Sequence, residues 1–140
     1  IDWYENEYGK IDGLILIQPT SPFRTIETIQ KGIKAFCDSE GKTIIGVNET
    51  HSHPSWTFKI KNNTMNPFLL DNGINMRSQD LEKAYVVNGS FYLISPSVLR
   101  EKKSFFSDNT IPLVINSKKE ALDIDNKDDW ALAEFYLNRG

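Results

Sequence analysis

The apolar and polar positions along the chain follow two different periods. Short apolar runs at Gly13–Ile17 ("GLILI") and Thr43–Val47 ("TIIGV") are bounded by turn-forming residues, a pattern typical of strands buried on both faces. Between them, Thr25–Cys37 repeats apolar residues every three or four positions, which predicts an amphipathic helix. A strand, loop, helix and strand in this order predict a right-handed crossover between parallel strands.

The second half of the chain continues the mixture of strands and helices. Tyr85–Ile94 ("YVVNGSFYLI") is rich in β-branched and aromatic residues, which predicts a strand with a bulge or bend at Asn88-Gly89. Pro96 is well placed to open a short helix, and Ile111–Ile115 predicts another strand. A last helix follows the "LDID" segment, and the first ten residues resemble the end of a helix.

Trp56–Asp71 has a pattern of its own. Apolar residues alternate with polar ones at Trp56, Phe58 and Ile60, and Asn62-Asn63 is a turn signal, so the segment predicts a hairpin that projects from the main sheet. Its aromatic and aliphatic face is a candidate partner surface. A hairpin folded back on its own core explains the same pattern equally well.

Composition and charge narrow the class of protein. The 140 residues, 39% of them hydrophobic, predict a single domain with one ordinary core. The 16 basic and 19 acidic residues give a net charge of -3, which favours neither nucleic acid nor an anionic membrane as a partner. The single cysteine, Cys37, forms no internal disulfide, and no apolar run approaches the roughly 20 residues of a membrane span. We expect a cytoplasmic protein.

Two aspartates carry the clearest chemical signal. In an extended segment, residues two positions apart share a face, so Asp123 and Asp125 would present two carboxylates together. Such hard oxygen ligands suit Mg²⁺, which takes its other ligands from water and substrate phosphates. Alternatively, Asp125 caps the last helix, with Asp128 and Asp129 favouring its positive end. Capping leaves Asp123 unexplained.

The segment "QPTSPFR", Gln18 to Arg24, follows the first predicted strand directly. Thr20 and Ser21 are candidate caps for the next helix, and Pro22 is consistent with a position at the start of that helix. Capping gives no reason for Gln18 at the carboxyl end of a buried strand. Because ligands of open parallel sheets bind at that end, Gln18 is a candidate ligand contact.

Four segments together resemble the acylneuraminate cytidylyltransferases, also called CMP-sialic acid synthetases. They are "LILIQPTSPFR", "RSQDLEKAYVVNGSFYLI", "SFF" and "LDIDNKDDWALAE", in this order over nearly the whole chain. The resemblance implies a nucleotidyltransferase that activates a nonulosonic acid, a nine-carbon 2-keto sugar acid, with CTP. The products are the CMP-sugar and pyrophosphate, and Mg²⁺ or another divalent cation assists.

The resemblance also implies site residues. Asp123 and Asp125 match the catalytic metal-binding aspartates, and Gln18 would contact the sugar acid with Thr20 beside it. Arg77 would approach the sugar carboxylate or a phosphate, where a guanidinium can bind in a bidentate manner. The remaining substrate-binding positions would be Asn88, Tyr92, Phe105 and Phe106. The three aromatic residues are equally compatible with a place in the core.

The chain departs from the family pattern in three places. The family begins with a strand and a phosphate-binding loop that have no match here, so we expect a carboxyl-terminal fragment that is inactive alone. Ser78 stands where relatives often have an arginine, and Arg77 lies one step earlier. Trp56 occupies a position where relatives place a lysine, and Lys59 is the nearest substitute.

The combined prediction is an α/β fold of the nucleotide-diphospho-sugar transferase type. We expect a three-layer sandwich with a mostly parallel central sheet, a single domain over residues 1–140, and residues 56–75 as a hairpin insertion that forms a homodimer. The second hypothesis is a non-catalytic, sheet-based module that pairs with itself or with another chain through Trp56–Asp71. The sequence leaves open which sugar acid is used and whether the base is cytosine.

Overall fold

The computed structural model describes residues 1–70 and 72–139, which form an α/β fold. The helices are α1 (Asp2–Tyr8), α2 (Ile26–Asp38), α3 (Pro96–Lys102) and α4 (Lys127–Asn138). The strands are β1 (Leu14–Leu16), β2 (Ile44–Glu49), β3 (Phe58–Lys61), β4 (Thr64–Pro67), β5 (Tyr85–Ile94) and β6 (Ile111–Val114). Short 3-10 helices lie at Pro54–Trp56, Asn72–Asn75 and Ser78–Asp80.

The main sheet is mixed rather than mostly parallel. Its four strands have the order β1-β5-β2-β6. β5 runs antiparallel to β1, with Leu14 opposite Ile94, and β6 runs parallel to β2, with Ile44 opposite Ile111. The prediction of a mostly parallel sheet is therefore wrong, because β5 inserts between the two strands that α2 connects. An apolar run looks the same in either strand direction, so the local pattern did not reveal this insertion.

The first strand is shorter and more exposed than its sequence predicts. β1 covers Leu14–Leu16 and stands at the end of the strand order. Leu16 is 39% exposed and Ile17 is 40% exposed. The prediction of a strand buried on both faces over Gly13–Ile17 is thus wrong within the described residues. A continuous apolar run is equally compatible with an edge strand that keeps one side partly open.

Helix α2 begins at a Thr25 cap and packs on the sheet. The Thr25 side chain accepts a hydrogen bond from the Thr28 N–H at 3.2 Å, so the predicted caps Thr20 and Ser21 are wrong for this helix. Phe36 on the buried face of α2 joins a core cluster. Its buried members are Phe36, Ile44, Phe91 and Leu93, with Ile15, Ile29, Ala35, Ile111 and Leu113 packed around them.

The predicted hairpin is present. β3 and β4 pair antiparallel, and the two residues between them, Asn62 and Asn63, have φ values of 50° and 59°. Two successive left-handed residues, both asparagine, are typical of a tight hairpin turn. Phe58, Ile60, Met65 and Pro67 share one face because Phe58 is opposite Pro67 and Ile60 is opposite Met65. Lysine, threonine and asparagine side chains occupy the other face.

The chain divides into two compact units. One comprises Ile1–Asn48 and Val87–Gly140, and the other comprises Glu49–Val86. The first contains α1 to α4 and most of the main sheet, and the second contains the β3-β4 hairpin and the short 3-10 helices. Over the part of the chain that the structure describes, no helix combines the length and apolar character needed to cross a membrane.

The contact between α2 and β5 leaves no room for a side chain at Gly32. A Cβ atom there would lie 2.4 Å from Cζ of Phe91, whose side chain is fully buried. We expect Gly32→Ala to lower the free energy of unfolding by about 1–3 kcal/mol, although alanine favours the helix, because overpacking outweighs propensity. Chemical denaturation measures the change. Lys31→Ala, at an exposed neighbour, is the control, and an unchanged or raised stability of Gly32→Ala would contradict this packing.

Candidate functional site

The segment after β1 forms a compact turn held by an arginine. Nη1 of Arg24 donates to the backbone oxygen of Gln18 at 2.8 Å and also to the backbone oxygen of Ser21. The Ser21 N–H donates to the same Gln18 oxygen at 3.2 Å. Burial lowers the pKa of the Arg24 guanidinium. The turn thus fixes Gln18 at the end of β1 through its backbone and leaves its side-chain amide available for other contacts.

Three polar side chains, those of Gln18, Ser21 and Asp123, converge on Gly89. This residue has a φ of +72°, in the left-handed region that favours glycine. A Cβ atom built there would lie 2.1 Å from Oε1 of Gln18, 3.1 Å from Oγ of Ser21 and 3.3 Å from Oδ2 of Asp123. The predicted ligand contact Gln18 and the predicted metal ligand Asp123 therefore lie at the same place, around one residue of β5.

Direct bonds join the turn to the segment before α4 and to β5. The Ser21 hydroxyl lies 3.2 Å from the backbone oxygen of Asn88 and 3.4 Å from Oδ1 of Asp123, and it can donate to either acceptor. The Ile124 N–H donates to the backbone oxygen of Thr20 at 2.8 Å. Thr20 thus enters the site through its backbone, and it holds the chain directly after Asp123.

An aromatic pair includes a tyrosine that senses the charge of the same carboxylate. The rings of Tyr92 and Phe105 meet edge to face with centroids 5.5 Å apart, and both residues are half-buried. Burial, and after it the negative charge of Asp123, raise the pKa of the Tyr92 phenol. The phenol is accordingly neutral at physiological pH, so it can donate a hydrogen bond to a ligand. Phe106 is 58% exposed and lies outside the core.

Capping of α4 does not involve Asp125. The cap is Asn126, whose Oδ1 accepts from the N–H groups of Asp128 at 2.8 Å and Asp129 at 3.0 Å. Oδ2 of Asp129 in turn accepts from the N–H groups of Asn126 and Asp125, both at 3.1 Å. The capping alternative for Asp125 is therefore wrong. Within the described residues, its exposed carboxylate makes no hydrogen bond or ion pair.

The other predicted site residues have different surroundings. Asn88 is 4% exposed, and its Oδ1 accepts from N–H and Oγ of Ser90 at 3.2 and 2.7 Å. Its Nδ2 is buried and lacks a hydrogen-bond partner in the described chain, so this amide still has a donor to offer. Arg77 belongs to the Glu49–Val86 unit, where it is exposed and precedes the Ser78–Asp80 helix. A role of Arg77 in substrate binding stays a prediction.

The donor set at Asp123 and Asp125 fits Mg²⁺ better than a transition metal. Across residues 1–70 and 72–139, no group of three or more His, Cys, Asp or Glu side chains could hold a metal ion. A dedicated protein cage is therefore not present in this part of the chain. Mg²⁺ commonly uses only one or two carboxylates and completes its shell with water and substrate phosphates, which agrees with two aspartates separated by one residue.

A groove of about 340 Å³ in the same unit lies at the opposite end of β1. Lys10, Ile11, Asp12 and Ser95 contribute to its lining together with Glu5 and Arg100. Arg100 is already paired with Asp2 and Glu5, and these bonds lower the pKa of both carboxyls. The positive charge of Arg100 is therefore already neutralised by its two carboxylate partners. The groove also lies away from the cluster around Gly89.

The sequence missed the roles of Ser21 and Arg24. The sequence predicts Ser21 as a helix cap and gives no role to Arg24, yet both donate to the backbone oxygen of Gln18. One signal was available in the sequence. The serine lies between two prolines and is followed by the arginine, and the next helix already has Thr25 as a good cap. Neither of these two polar side chains therefore has a function in that helix.

The fold of the chain has a counterpart among solved structures. The chain is similar to a solved structure described as 4-diphosphocytidyl-2C-methyl-D-erythritol synthase from Anaerococcus prevotii. The two share a TM-score of 0.57 and 14% identity over 91% of this chain and 59% of the other. At this identity the likeness shows a common fold. No family model matches the chain.

Curated relatives give a more particular match. A CMP-N,N'-diacetyllegionaminic acid synthase from Legionella pneumophila is 38% identical over 131 residues, which are 88% of this chain and 53% of that protein. An N-acylneuraminate cytidylyltransferase from Streptococcus agalactiae is 24% identical over 89% of this chain and 30% of its own length. These homologues confirm the resemblance seen in the sequence and show that the chain is related to enzymes of this type. The chain spans about half the length of the first relative.

The electrostatic contact between Asp123 and Tyr92 gives a test of the site geometry. Since the Asp123 charge contributes to the raised pKa of Tyr92, Asp123→Asn should lower that pKa, while burial keeps it above the ordinary value. We expect a downward shift of the Tyr92 pKa, measured from the Tyr92 ¹³Cζ resonance during an alkaline titration. Asp125→Asn is the matched control and should leave the Tyr92 pKa unaltered. Equal shifts in both variants would contradict the geometry.

Proposed function

We propose that the intact protein containing this chain is a cytidylyltransferase for a sialic-acid-like nonulosonic acid. The anomeric hydroxyl oxygen of the sugar acid forms a bond to the α-phosphorus of CTP. The bond from that phosphorus to the oxygen of the β-phosphate breaks, pyrophosphate leaves, and the hydroxyl proton passes to solvent. The products are the CMP-sugar and pyrophosphate.

The observation that supports this proposal most strongly is the convergence of Gln18 and Asp123 on Gly89. An amide suited to a polyhydroxylated sugar and a carboxylate suited to a cation lie side by side. They occur in a chain whose homologues are named as synthases of CMP-activated sugar acids. A sugar hydroxyl bound by the amide would therefore be close to a cation bound by the carboxylate, as attack on a phosphate requires.

The proposed roles follow from the chemistry of each side chain. The Gln18 amide would both donate to and accept from sugar hydroxyls, and the neutral Tyr92 phenol would donate. Phe105, in contact with Tyr92, would pack against an apolar face of the sugar. For Asn88, Phe106 and Arg77 we propose the substrate-binding roles that the family resemblance implies. Asp123 and Asp125 would hold Mg²⁺, which when bound would offset charge on the phosphates and on the leaving pyrophosphate.

The substrate class is proposed from the homologues. Because the relative at 38% identity is named for N,N'-diacetyllegionaminic acid, we expect that sugar acid to be used at least as well as N-acetylneuraminic acid. Initial rates with both acids, and with CTP and UTP, decide the sugar and the base.

Removal of either proposed metal ligand should impair catalysis. We expect Asp123→Asn and Asp125→Asn to lower kcat/KM of the intact protein by about 100-fold or more, because charge developing on the phosphates would lose its cation. Release of pyrophosphate gives the rate. Asp128→Asn removes a neighbouring exposed carboxylate from the start of α4 and should keep most of the activity. If all three variants are equally active, the proposed metal site is wrong.

Ligand binding separates this function from the non-catalytic alternative. A nucleotide-site protein gains thermal stability from CTP with Mg²⁺, whereas a pairing module does not. The alternative would therefore be favoured by an intact protein that shows no shift of melting temperature with saturating CTP and Mg²⁺ and no pyrophosphate release.

We also propose that the β3-β4 hairpin forms a homodimer contact. Its apolar face consists of Phe58, Ile60, Met65 and Pro67, and it is open in the structure, with Ile60 76% and Met65 60% exposed. Lysine, asparagine and threonine residues on the opposite face of the same hairpin are typical of a side that stays in water. A second copy of this chain, in twofold symmetry, would cover the apolar face with an identical one.

A negative charge added to either face of the hairpin tests which face forms the dimer contact. We expect Ile60→Glu to raise the dissociation constant of the dimer by at least about tenfold, because an unpaired carboxylate would be buried in the contact. Sedimentation velocity over a range of concentrations measures it. Thr64→Glu adds the same charge to the polar face and should leave the dimer intact. A monomeric wild type, or equal behaviour of both variants, would contradict the proposed interface.

A further inference from the structure

Ser21 is a fully buried residue whose polar groups are all engaged. It has a relative exposure of 0%. Its N–H donates to the Gln18 oxygen, its own backbone oxygen accepts from Arg24, and its hydroxyl faces the Asn88 oxygen and the Asp123 carboxylate. Burying a hydroxyl without partners is costly, so a serine in such a place is held there by its bonds.

These bonds connect parts of the chain that are distant in sequence. The hydroxyl reaches Asn88 over 67 positions and Asp123 over 102 positions. The hydroxyl has one proton to share between these two acceptors. Its distances of 3.2 Å to the Asn88 oxygen and 3.4 Å to the Asp123 oxygen are longer than usual for a hydroxyl, as expected for a group that lies between two acceptors. Helix α2 does not need Ser21, because Thr25 provides its cap. The hydroxyl therefore serves the convergence around Gly89.

We propose that Ser21 is a positioning residue that sets the distance and orientation between Gln18 and Asp123. One end of the residue fixes the Gln18 backbone, and the other orients the Asp123 carboxylate. The inference rests on the proposed function, in which Gln18 contacts the sugar acid and Asp123 the cation. Ser21 itself contacts neither ligand, but its loss would change the affinity for both.

The test compares two variants of Ser21 with a buried hydroxyl elsewhere. Ser21→Ala removes the donor, and Ser21→Cys keeps the shape with a thiol, which is a weaker donor. Thr43→Val is the matched control, because Thr43 is 1% exposed and its hydroxyl accepts a long hydrogen bond of 3.5 Å from the Ser107 hydroxyl, away from the cluster around Gly89. All variants are made in the intact protein that contains this chain, and their thermal stabilities are measured first.

Two binding readouts then separate positioning from stability. Mn²⁺ alone is titrated and followed by electron paramagnetic resonance, and KM for N,N'-diacetyllegionaminic acid is measured at saturating CTP and Mg²⁺. We expect Ser21→Ala to weaken Mn²⁺ binding and to raise this KM, each by about tenfold, as is typical when a partner of a metal ligand is lost. Ser21→Cys should lie between alanine and the wild type. Thr43→Val should change neither quantity, although its melting temperature falls.

The outcomes are decisive in each direction. Affinities of Ser21→Ala within twofold of the wild type, at a lowered melting temperature, would overturn the proposal, because Ser21 would then be only structural. If Ser21→Ala does not fold, Ser21→Cys decides by the same criterion. A wild type that binds Mn²⁺ but forms no CMP-sugar would overturn the proposed function and leave the Mn²⁺ titration as the test of Ser21. A wild type that binds no Mn²⁺ would overturn the role of Ser21 toward a cation.

Discussion

The left-handed backbone at Gly89 is the constraint on which the candidate site depends. A side chain at this position would occupy the space that Oε1 of Gln18 fills, and it would crowd Ser21 and Asp123. Other residues adopt a φ of +72° only at a cost, so both the conformation and the space require glycine. Because β5 lacks a side chain here, the turn after β1 and the segment before α4 can approach the same strand and exchange hydrogen bonds across it.

Much of the local structure could be predicted because its causes are local. Proline at the start of α3 and the Asn62-Asn63 pair at the hairpin turn each specify a backbone conformation directly, and both elements are where the sequence placed them. The order and direction of strands have no such local cause. β5 separates β1 from β2 because of packing across the whole sheet, and apolar residues pack equally well in either direction.

The candidate site was predictable to the extent that its residues belong to short motifs. Gln18 at a strand end and the spacing of Asp123 and Asp125 pointed to a ligand site, and the structure brings Gln18 and Asp123 together. Ser21 was missed because the acceptors of its hydroxyl, Asn88 and Asp123, are distant in sequence, and Arg24 was missed because it donates to backbone oxygens. Such bonds do not depend on the type of the accepting residue, so they leave no recognisable pair of residues in the sequence.

The start of α4 shows that helix capping does not explain the two aspartates. Asn126 and Asp129 already satisfy the first free N–H groups of the helix and also those of Asp125 and Asn126. The carboxylates of Asp123 and Asp125 are therefore not required for helix stability. The cap thus fixes the direction in which the chain enters the helix, and neither carboxylate takes part in it.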